Sequence, residues 1–144
     1  MWNEIVNDTD VKNFMETVSD FHDSCINEIK YVSGAYVDDR YFMYPVNNKR
    51  KLSIIIQRQT SINSTIELEF SKLKHFKLVP SDETYTCEIL DSTLLLHEGL
   101  FYWCDCGGLT ISEIPFYEGT FVCAEALRWR SMGQGDGSKP LKKS

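Results

Sequence analysis

Apolar and polar residues alternate in two neighbouring stretches near the middle of the chain, between positions 51 and 71. The apolar members are Leu52, Ile54, Ile56, Ile66, Leu68 and Phe70. A period of two places such residues on one face of a pleated strand and the polar residues on the other. Residues 60–64 between the two stretches form a polar connector of hairpin length. The pattern predicts a hairpin at the centre of an antiparallel sheet.

A period of three and four residues precedes this hairpin. Its apolar stripe consists of Val11, Phe14, Met15, Val18 and either Phe21 or His22. This spacing predicts a helix over residues 8–21, with Asn7, Asp8 or Thr9 as its N-cap. Such a stripe is typical of a core contact rather than of a ligand site.

The remaining apolar runs predict five further strands joined by short turns. They cover residues 29–37 with a bend at Ser33–Gly34, 74–79, 86–96 with a bulge near Asp91–Ser92, 100–104 and 120–130. The last strand is expected to lie at a sheet edge, because arginines such as Arg128 and Arg130 discourage edge pairing. Its predicted apolar face consists of Phe121, Cys123, Leu127 and Trp129.

One helix followed by about seven strands predicts an α+β domain, in which the N-terminal helix packs on a meandering, mostly antiparallel sheet. Long strands tend to coil, so a half-open barrel is a second geometry for the same elements. Residues 1–132 are expected to form this single domain. Residues 133–144 are rich in Gly, Ser and Lys and are expected to form a disordered tail.

Charge limits the classes of partner. The chain of 144 residues has a formal net charge of −6. Residues 133–144 contribute three lysines and one aspartate, so residues 1–132 carry −8. This sign disfavours nucleic-acid binding through phosphate neutralisation. It suits attraction of a protein partner with a basic surface, and solubility alone is the competing explanation.

The termini and the cysteines indicate the compartment. The first ten residues lack the basic and apolar regions of a signal peptide, and no apolar window is long enough to span a bilayer. The five cysteines are odd in number and irregularly spaced. We therefore expect reduced thiols in a cytoplasmic protein with no membrane association.

Two short segments resemble chemical motifs. Cys104-Asp105-Cys106, with His97 and Cys123 as partners, is a candidate zinc site. Structural zinc normally requires two ligand pairs, and strand alternation would place Cys104 and Cys106 on one core-facing side. Thiols that are packed in the core or lie at its solvent edge are therefore the favoured interpretation, and neither a metal nor a cofactor is predicted.

The second segment, His22-Asp23-Ser24-Cys25, contains the residue types of a nucleophilic triad. Chain neighbours rarely meet in that geometry, so no catalytic residue is predicted. Asp23 is expected to bond backbone amides, and His22 to bridge to a nearby carboxylate or carbonyl.

Glu67 and Glu69 lie two residues apart on one predicted strand, at a spacing of about 6.8 Å. Such a separation also occurs between glycosidase carboxylates. No aromatic residue lies between them, so they are interpreted as a solvated face where Glu67→Ala should be nearly neutral.

Acidic residues around the first helix and tyrosines on the predicted loops are the candidates for partner binding, because loop tyrosines anchor many protein interfaces. The candidate partner-binding residues are Glu16, Asp20, His22, Asp23, Tyr41 and Tyr44.

Three segments carry a family resemblance: Trp2 to Ile5, the step Phe21-His22-Asp23-Ser24, and the run from Ile29 to Tyr36. With them the chain resembles a group of small uncharacterised proteins from low-GC Gram-positive bacteria. The helix, the Phe-His-Asp step and the following antiparallel strands are also similar to some immunity proteins of bacterial polymorphic-toxin systems. This resemblance implies a non-enzymatic role in neutralising a toxin.

Three functions follow as hypotheses. The leading one is a protein-binding module of the immunity type with a basic toxin as its partner. The second is a half-barrel that binds a small molecule in a cavity lined by the aromatic residues. The third is a hydrolase whose carboxylates or thiols the sequence does not place.

Overall fold

The computed structural model describes residues 1–132, so the predicted tail at 133–144 lies outside the described residues. Within them the chain forms one α-helix and nine strands. In chain order these are β1 (Asn3–Ile5), α1 (Asp8–Thr17), β2 (Ser24–Val32), β3 (Tyr36–Val37), β4 (Met43–Tyr44), β5 (Lys51–Arg58), β6 (Thr65–Lys77), β7 (Thr93–His97), β8 (Leu100–Cys104) and β9 (Phe121–Ser131). The predicted α+β class is confirmed.

Seven strands form one antiparallel sheet in the order β2-β5-β6-β9-β8-β7, with β1 also pairing with β9. One side of β9 pairs with β6 along most of its length. The other side is shared, because β8 pairs with residues 121–124 and β1 with residues 127–129. The sheet is open, with β2 and β7 at its two ends, and it does not close into a barrel.

The predicted central hairpin is confirmed, with Ile54 opposite Leu68 in the pairing of β5 and β6. The separate strand predicted at 74–79 is wrong, because β6 continues to Lys77. Lys72 has a φ of +53°, and the register shifts between Leu73 and His75. A left-handed residue and a bulge turn the strand without ending it, which interrupts the alternation that the sequence pattern relies on.

The predicted apolar face of β9 is wrong in its first half. Val122 and Ala124 are fully buried in the core, and Leu127 is 2% exposed. Strict alternation cannot place positions 122, 124 and 127 on one face, so the face changes between Ala124 and Leu127.

Two predicted strands have different bounds in the structure. The strand predicted at 29–37 begins earlier, at Ser24, and ends at Val32. Gly34, with a φ of +106°, then redirects the chain into a separate two-stranded sheet of β3 and β4. Of the strand predicted at 86–96, only Thr93–His97 forms, as β7.

Helix α1 covers the core face of the sheet. The Asn7 side chain caps it by accepting a hydrogen bond from the amide of Asp10 at 2.8 Å. Its buried stripe packs Phe14 against Trp129, with ring centroids 5.0 Å apart. The helix ends at Thr17, earlier than predicted. Within residues 1–132, no helix is long and apolar enough to cross a membrane.

The opposite face of the sheet is not the solvated face that the sequence pattern indicated. Glu67 and Glu69 are each only 13% exposed in their side chains. Nε of Arg130 donates to Glu67 at 2.8 Å, and Nε of Arg128 donates to Glu69 at 2.6 Å. The Ser53 hydroxyl also donates to Glu67, at 2.6 Å. The carboxylates are therefore neutralised across the strand pair.

Trp2 covers these ion pairs. The guanidinium carbons of Arg128 and Arg130 lie 4.1 and 4.4 Å from the centre of its ring. Stacking on an aromatic face suits the planar guanidinium. The expectation of a sheet edge is wrong for Arg128, which is paired with both β1 and β6, whereas Arg130 lies one residue beyond the pairing with β1.

Leu68→Ala should lower the free energy of unfolding by about 2–5 kcal/mol, because it removes a core side chain that is 1% exposed. Ile62→Ala is the matched control, since Ile62 is 65% exposed and should change stability by less than about 0.5 kcal/mol. Urea unfolding of the two variants measures both values. Equal losses would contradict the assignment of the core face.

Glu67→Ala should also destabilise the protein, by about 1–3 kcal/mol, because it leaves Arg130 and the Ser53 hydroxyl without their acceptor. The control is Glu125→Ala, which breaks the more exposed pair with Lys74 and should cost about 0–1 kcal/mol. The same unfolding assay compares the two. A neutral Glu67→Ala would restore the solvated-face interpretation.

Candidate functional site

The chain leaves helix α1 through an unusual backbone segment. Ser19, Asp20 and Phe21 have φ values of +52°, +54° and +57°, and Asp23 has +57°. Aspartate tolerates this left-handed region better than most residues do. Phe21 is nevertheless fully buried, with edge contacts to Phe14 at 5.7 Å and to Trp103 at 6.4 Å. Anchoring Phe21 in the core leaves its polar neighbours outside.

His22 ties this segment to the loop between β6 and β7. Its Nδ1 donates to the carbonyl oxygen of Leu90 at 2.6 Å and lies 3.4 Å from a carboxylate oxygen of Asp91. Its Nε2 lies 3.3 Å from Asp23. The Leu90 carbonyl, and then the Asp23 carboxylate, raise the pKa of His22 above 6.5. The expectation that His22 bridges to a carboxylate or a carbonyl is confirmed.

Backbone contacts reinforce the same junction. Ser24 and Ile89 exchange two backbone hydrogen bonds, of 3.2 and 2.6 Å. The amide and the hydroxyl of Ser92 both donate to the carbonyl oxygen of Asp20. The irregular chain before β7 is therefore fixed against the start of β2, and Glu88 and Asp91 are held beside Asp20 and Asp23.

The loop that follows β8 is the third segment at this end of the sheet. Asp105 accepts a hydrogen bond from the hydroxyl of Tyr117, and burial together with this bond raises the pKa of Tyr117. Gly107 lies against Asp91, where an added Cβ atom would come within 2.7 Å of the Asp91 Cβ. The absence of a side chain at position 107 thus lets this loop approach the loop that carries Asp91.

Two adjoining clefts open at this end of the sheet. The first, of about 370 Å³, is lined by Asp23, Ser24, Cys25, Gln57, Arg58, Gln59 and Glu88. The second, of about 530 Å³, is lined by Asp20, Glu88, Leu90, Asp91, Ser92, Asp105, Cys106, Gly107 and Gly108. We call this region the acidic end and define it by its five carboxylates, Asp20, Asp23, Glu88, Asp91 and Asp105. Neither cleft is lined by an aromatic side chain, so they do not match the aromatic cavity of the half-barrel hypothesis.

Within the described part of the chain, His22 offsets the charge of the acidic end only in part. Among residues 1–132, the described ion pairs of its carboxylates involve His22 and neither lysine nor arginine. Glu67, Glu69 and Glu125 differ, because each is paired with a basic side chain. Arg58 lines the first cleft, but its Nη1 donates to the carbonyl oxygens of Ile62 and Asn63.

The motif residues are placed as follows. Cys104 is fully buried, and burial raises its pKa to about 12. Strand β8 ends there, so Cys106 does not share its face as predicted; Cys106 lies in an exposed bend at the second cleft. His97 lies beside the turn between β7 and β8. Within residues 1–132, no group of three or more potential ligands is arranged to hold a metal.

The segment from His22 to Cys25 does not assemble as a triad. Asp23 contacts His22, but the Ser24 hydroxyl is directed to the carbonyl oxygen of His22, at 3.5 Å. Cys25 lines the first cleft, and burial raises the pKa of its thiol, which lowers its thiolate fraction.

Of the predicted partner-binding residues, Asp20, His22 and Asp23 come together at the acidic end. Glu16 lies exposed on the last turn of α1 and lines neither cleft. Tyr41 and Tyr44 lie beyond the opposite end of β2, a strand that spans about 26 Å over its nine residues. The six candidates therefore form two separate surfaces.

Sequence reasoning missed Glu88, Asp91 and Asp105 as members of the site. They lie 65 or more positions from Asp23, and no local periodicity links them to it. The one signal in the sequence was the density of acidic residues in the irregular segments. That density does not show which of these residues lie close together in the fold.

Comparison with known proteins gives no match. No family model matches the chain, and neither does any curated protein or solved structure. The functional inference therefore rests on the geometry and charge of the chain itself.

His22 should stabilise the fold in its protonated form. Because its pKa is raised in the folded protein, this contribution is complete below pH 6.5 and is lost as the pH rises through the folded value. The stability difference between the wild type and His22→Gln should therefore be larger at pH 5.5 than at pH 8. His97→Gln is the control, because His97 makes no described contact with a backbone carbonyl oxygen. A difference for His22→Gln that does not change with pH would contradict a stabilising role of protonated His22.

Proposed function

We propose that this protein acts by binding another protein, and that the partner presents a basic surface to the acidic end. The observation that supports this is the collection of five carboxylates, from segments far apart in the chain, around two clefts without a neutralising lysine or arginine partner. Elsewhere on the sheet, carboxylates such as Glu67 and Glu69 are paired internally. A surface with such an excess of negative charge attracts cationic side chains and accelerates association.

The shape of the region suits long basic side chains. Clefts of about 370 and 530 Å³ share Glu88 as part of their walls. Lysine and arginine can place their apolar stems along such walls while their charged heads approach the carboxylates. Because the surrounding loops are fixed by hydrogen bonds to Asp20, His22 and Ser24, the carboxylates are held in place before the partner arrives.

The finer proposal is that the partner is a basic toxin and that this protein is an immunity-type inhibitor in the cytoplasm. The resemblance of the helix and the Phe21-His22-Asp23-Ser24 step to such inhibitors supports it, as does the formal charge of −8 on residues 1–132. The five cysteines, all free thiols, suit a reducing compartment. A toxin gene beside this one, and protection of cells by co-expression, would be the expected genetic findings.

The charge proposal is tested with Asp20→Asn, Asp23→Asn and Glu88→Gln combined in one protein. Asparagine tolerates the left-handed backbone at positions 20 and 23, so the fold should be retained. For a partner captured from the source cell, we expect affinity to fall at least about tenfold, mainly through slower association. Raising the ionic strength from about 0.01 to 0.15 M shortens the Debye length from about 30 to 8 Å and should have the same effect on the wild type.

The matched control removes three exposed carboxylates that line neither cleft, with Glu28→Gln, Glu83→Gln and Glu98→Gln. Net charge changes equally in the two triple variants, so their comparison separates a local site from overall acidity. The control should bind nearly as the wild type does. Equal loss in both variants, or association rates that do not depend on salt, would contradict a binding site at the acidic end.

A further inference from the structure

Exposed apolar side chains are concentrated in one stretch of the chain. They are Tyr31, Val32, Tyr36, Val37, Tyr41, Phe42, Met43, Tyr44 and Val46, each between 37% and 88% exposed. Most of them lie on residues 36–44, which we call the aromatic hairpin. Its strands β3 and β4 form a sheet of their own, separate from the main sheet. Contiguous apolar exposure of this kind marks an interaction surface more often than isolated exposed residues do.

The aromatic hairpin is internally ordered. The carboxylate of Asp38 accepts hydrogen bonds from the amides of Arg40 and Phe42, at 2.9 and 3.0 Å, and from the Tyr44 hydroxyl at 3.2 Å. These bonds, led by that from Phe42, lower the pKa of Asp38. The rings of Tyr36 and Tyr44 stack with their centroids 4.7 Å apart. An isolated two-stranded hairpin is only marginally stable in water. The hydrogen bonds of Asp38 and the stacked tyrosine rings therefore help to keep the aromatic hairpin folded.

The base of the aromatic hairpin is also fixed. The carbonyl oxygen of Ser33 accepts hydrogen bonds from the amides of Lys49 and Arg50, at 3.0 and 3.2 Å. Gly34 is required beside them, because its φ is +106° and an added Cβ would collide with the Asn48 side chain. The two ends of the segment are thereby held together, and the hairpin is presented in a defined position.

Charge along this segment is self-complementary. Asp38, Asp39 and Arg40 lie at the tip with a net charge of −1, whereas Lys49, Arg50 and Lys51 follow at the base with +3. If two copies pack their hairpins side by side and antiparallel, the acidic tip of each meets the basic base of the other. A two-fold interface repeats each such contact, since residue i of one copy meets residue j of its partner and the reverse. The apolar side chains then lie between the two charged contacts.

We propose that the aromatic hairpin is the interface of a two-fold symmetric homodimer. The occupant of the exposed apolar surface is therefore a second copy of this chain. This inference goes beyond the proposed function and does not depend on it, because the acidic end lies at the other end of β2 and stays open in such a dimer.

The test measures mass as a function of protein concentration, by light scattering after gel filtration and by sedimentation equilibrium. The wild type should dimerise reversibly. Phe42→Ser with Met43→Ser should raise the dissociation constant at least about tenfold, because two apolar side chains lose their burial. Ile62→Ser with Phe116→Ser is the matched control, since these residues are 65% and 82% exposed outside the hairpin. Unchanged thermal unfolding of the monomeric state would show that both variants fold.

A charge exchange tests the antiparallel arrangement. Asp39→Lys and Lys49→Glu should each weaken the dimer, because each places like charges at both contacts. An equimolar mixture of the two should restore it as a heterodimer, since every tip then meets an opposite charge. A wild-type protein that is monomeric at all concentrations would overturn the proposal and assign the hairpin to a different protein partner. Dimers that persist in the Phe42, Met43 variant, or a mixture without rescue, would also overturn it.

Discussion

The pairing of β6 with β9 is the constraint on which the rest of the structure depends. Its register runs from Ile66 opposite Ser131 to Lys77 opposite Phe121. One face of this pair gives Leu68, Phe70 and Leu127 to the core under helix α1. The other face joins Glu67 and Glu69 to Arg130 and Arg128. The two faces are therefore stabilised differently, by burial of apolar side chains on one side and by cross-strand ion pairs on the other.

Two groups of carboxylates can be distinguished in the protein. Those on the β6–β9 pair form ion pairs with arginine, and among the described residues those of the acidic end do not. Glu67 and Glu69 are held at hydrogen-bond distance by arginines under Trp2, so they contribute to the fold rather than to an external field. At the end of the sheet, burial of Phe21 forces Asp20 and Asp23 outwards, and His22 and Ser92 bring the chain around Glu88 and Asp91 beside them. Among the described ion pairs, Asp23 and Asp91 meet His22, and none of these carboxylates meets a lysine or an arginine, so the group keeps a net negative charge.

Local periodicity predicted the parts of the fold that depend on it. Helix α1 and the β5–β6 hairpin are each defined by residues close in sequence. The failures have a common cause. Alternation cannot reveal that Arg130 lies opposite Glu67, 63 positions away, nor that β9 changes its face between Ala124 and Leu127. The prediction of the candidate site was incomplete for the same reason. Asp20, His22 and Asp23 were identified because they are close in sequence, whereas Asp105 belongs to a distant loop.

The central claim is that the acidic end is where a basic protein binds, and hydrogen exchange of the complex tests it most directly. Amide exchange is compared in the free protein and in the complex with the captured partner. Added protection should fall on residues 20–25, 57–59, 88–92 and 105–108, the segments that form the two clefts. Protection that is confined to the face of Trp2, Arg128 and Arg130, or to the aromatic hairpin, would contradict the assignment.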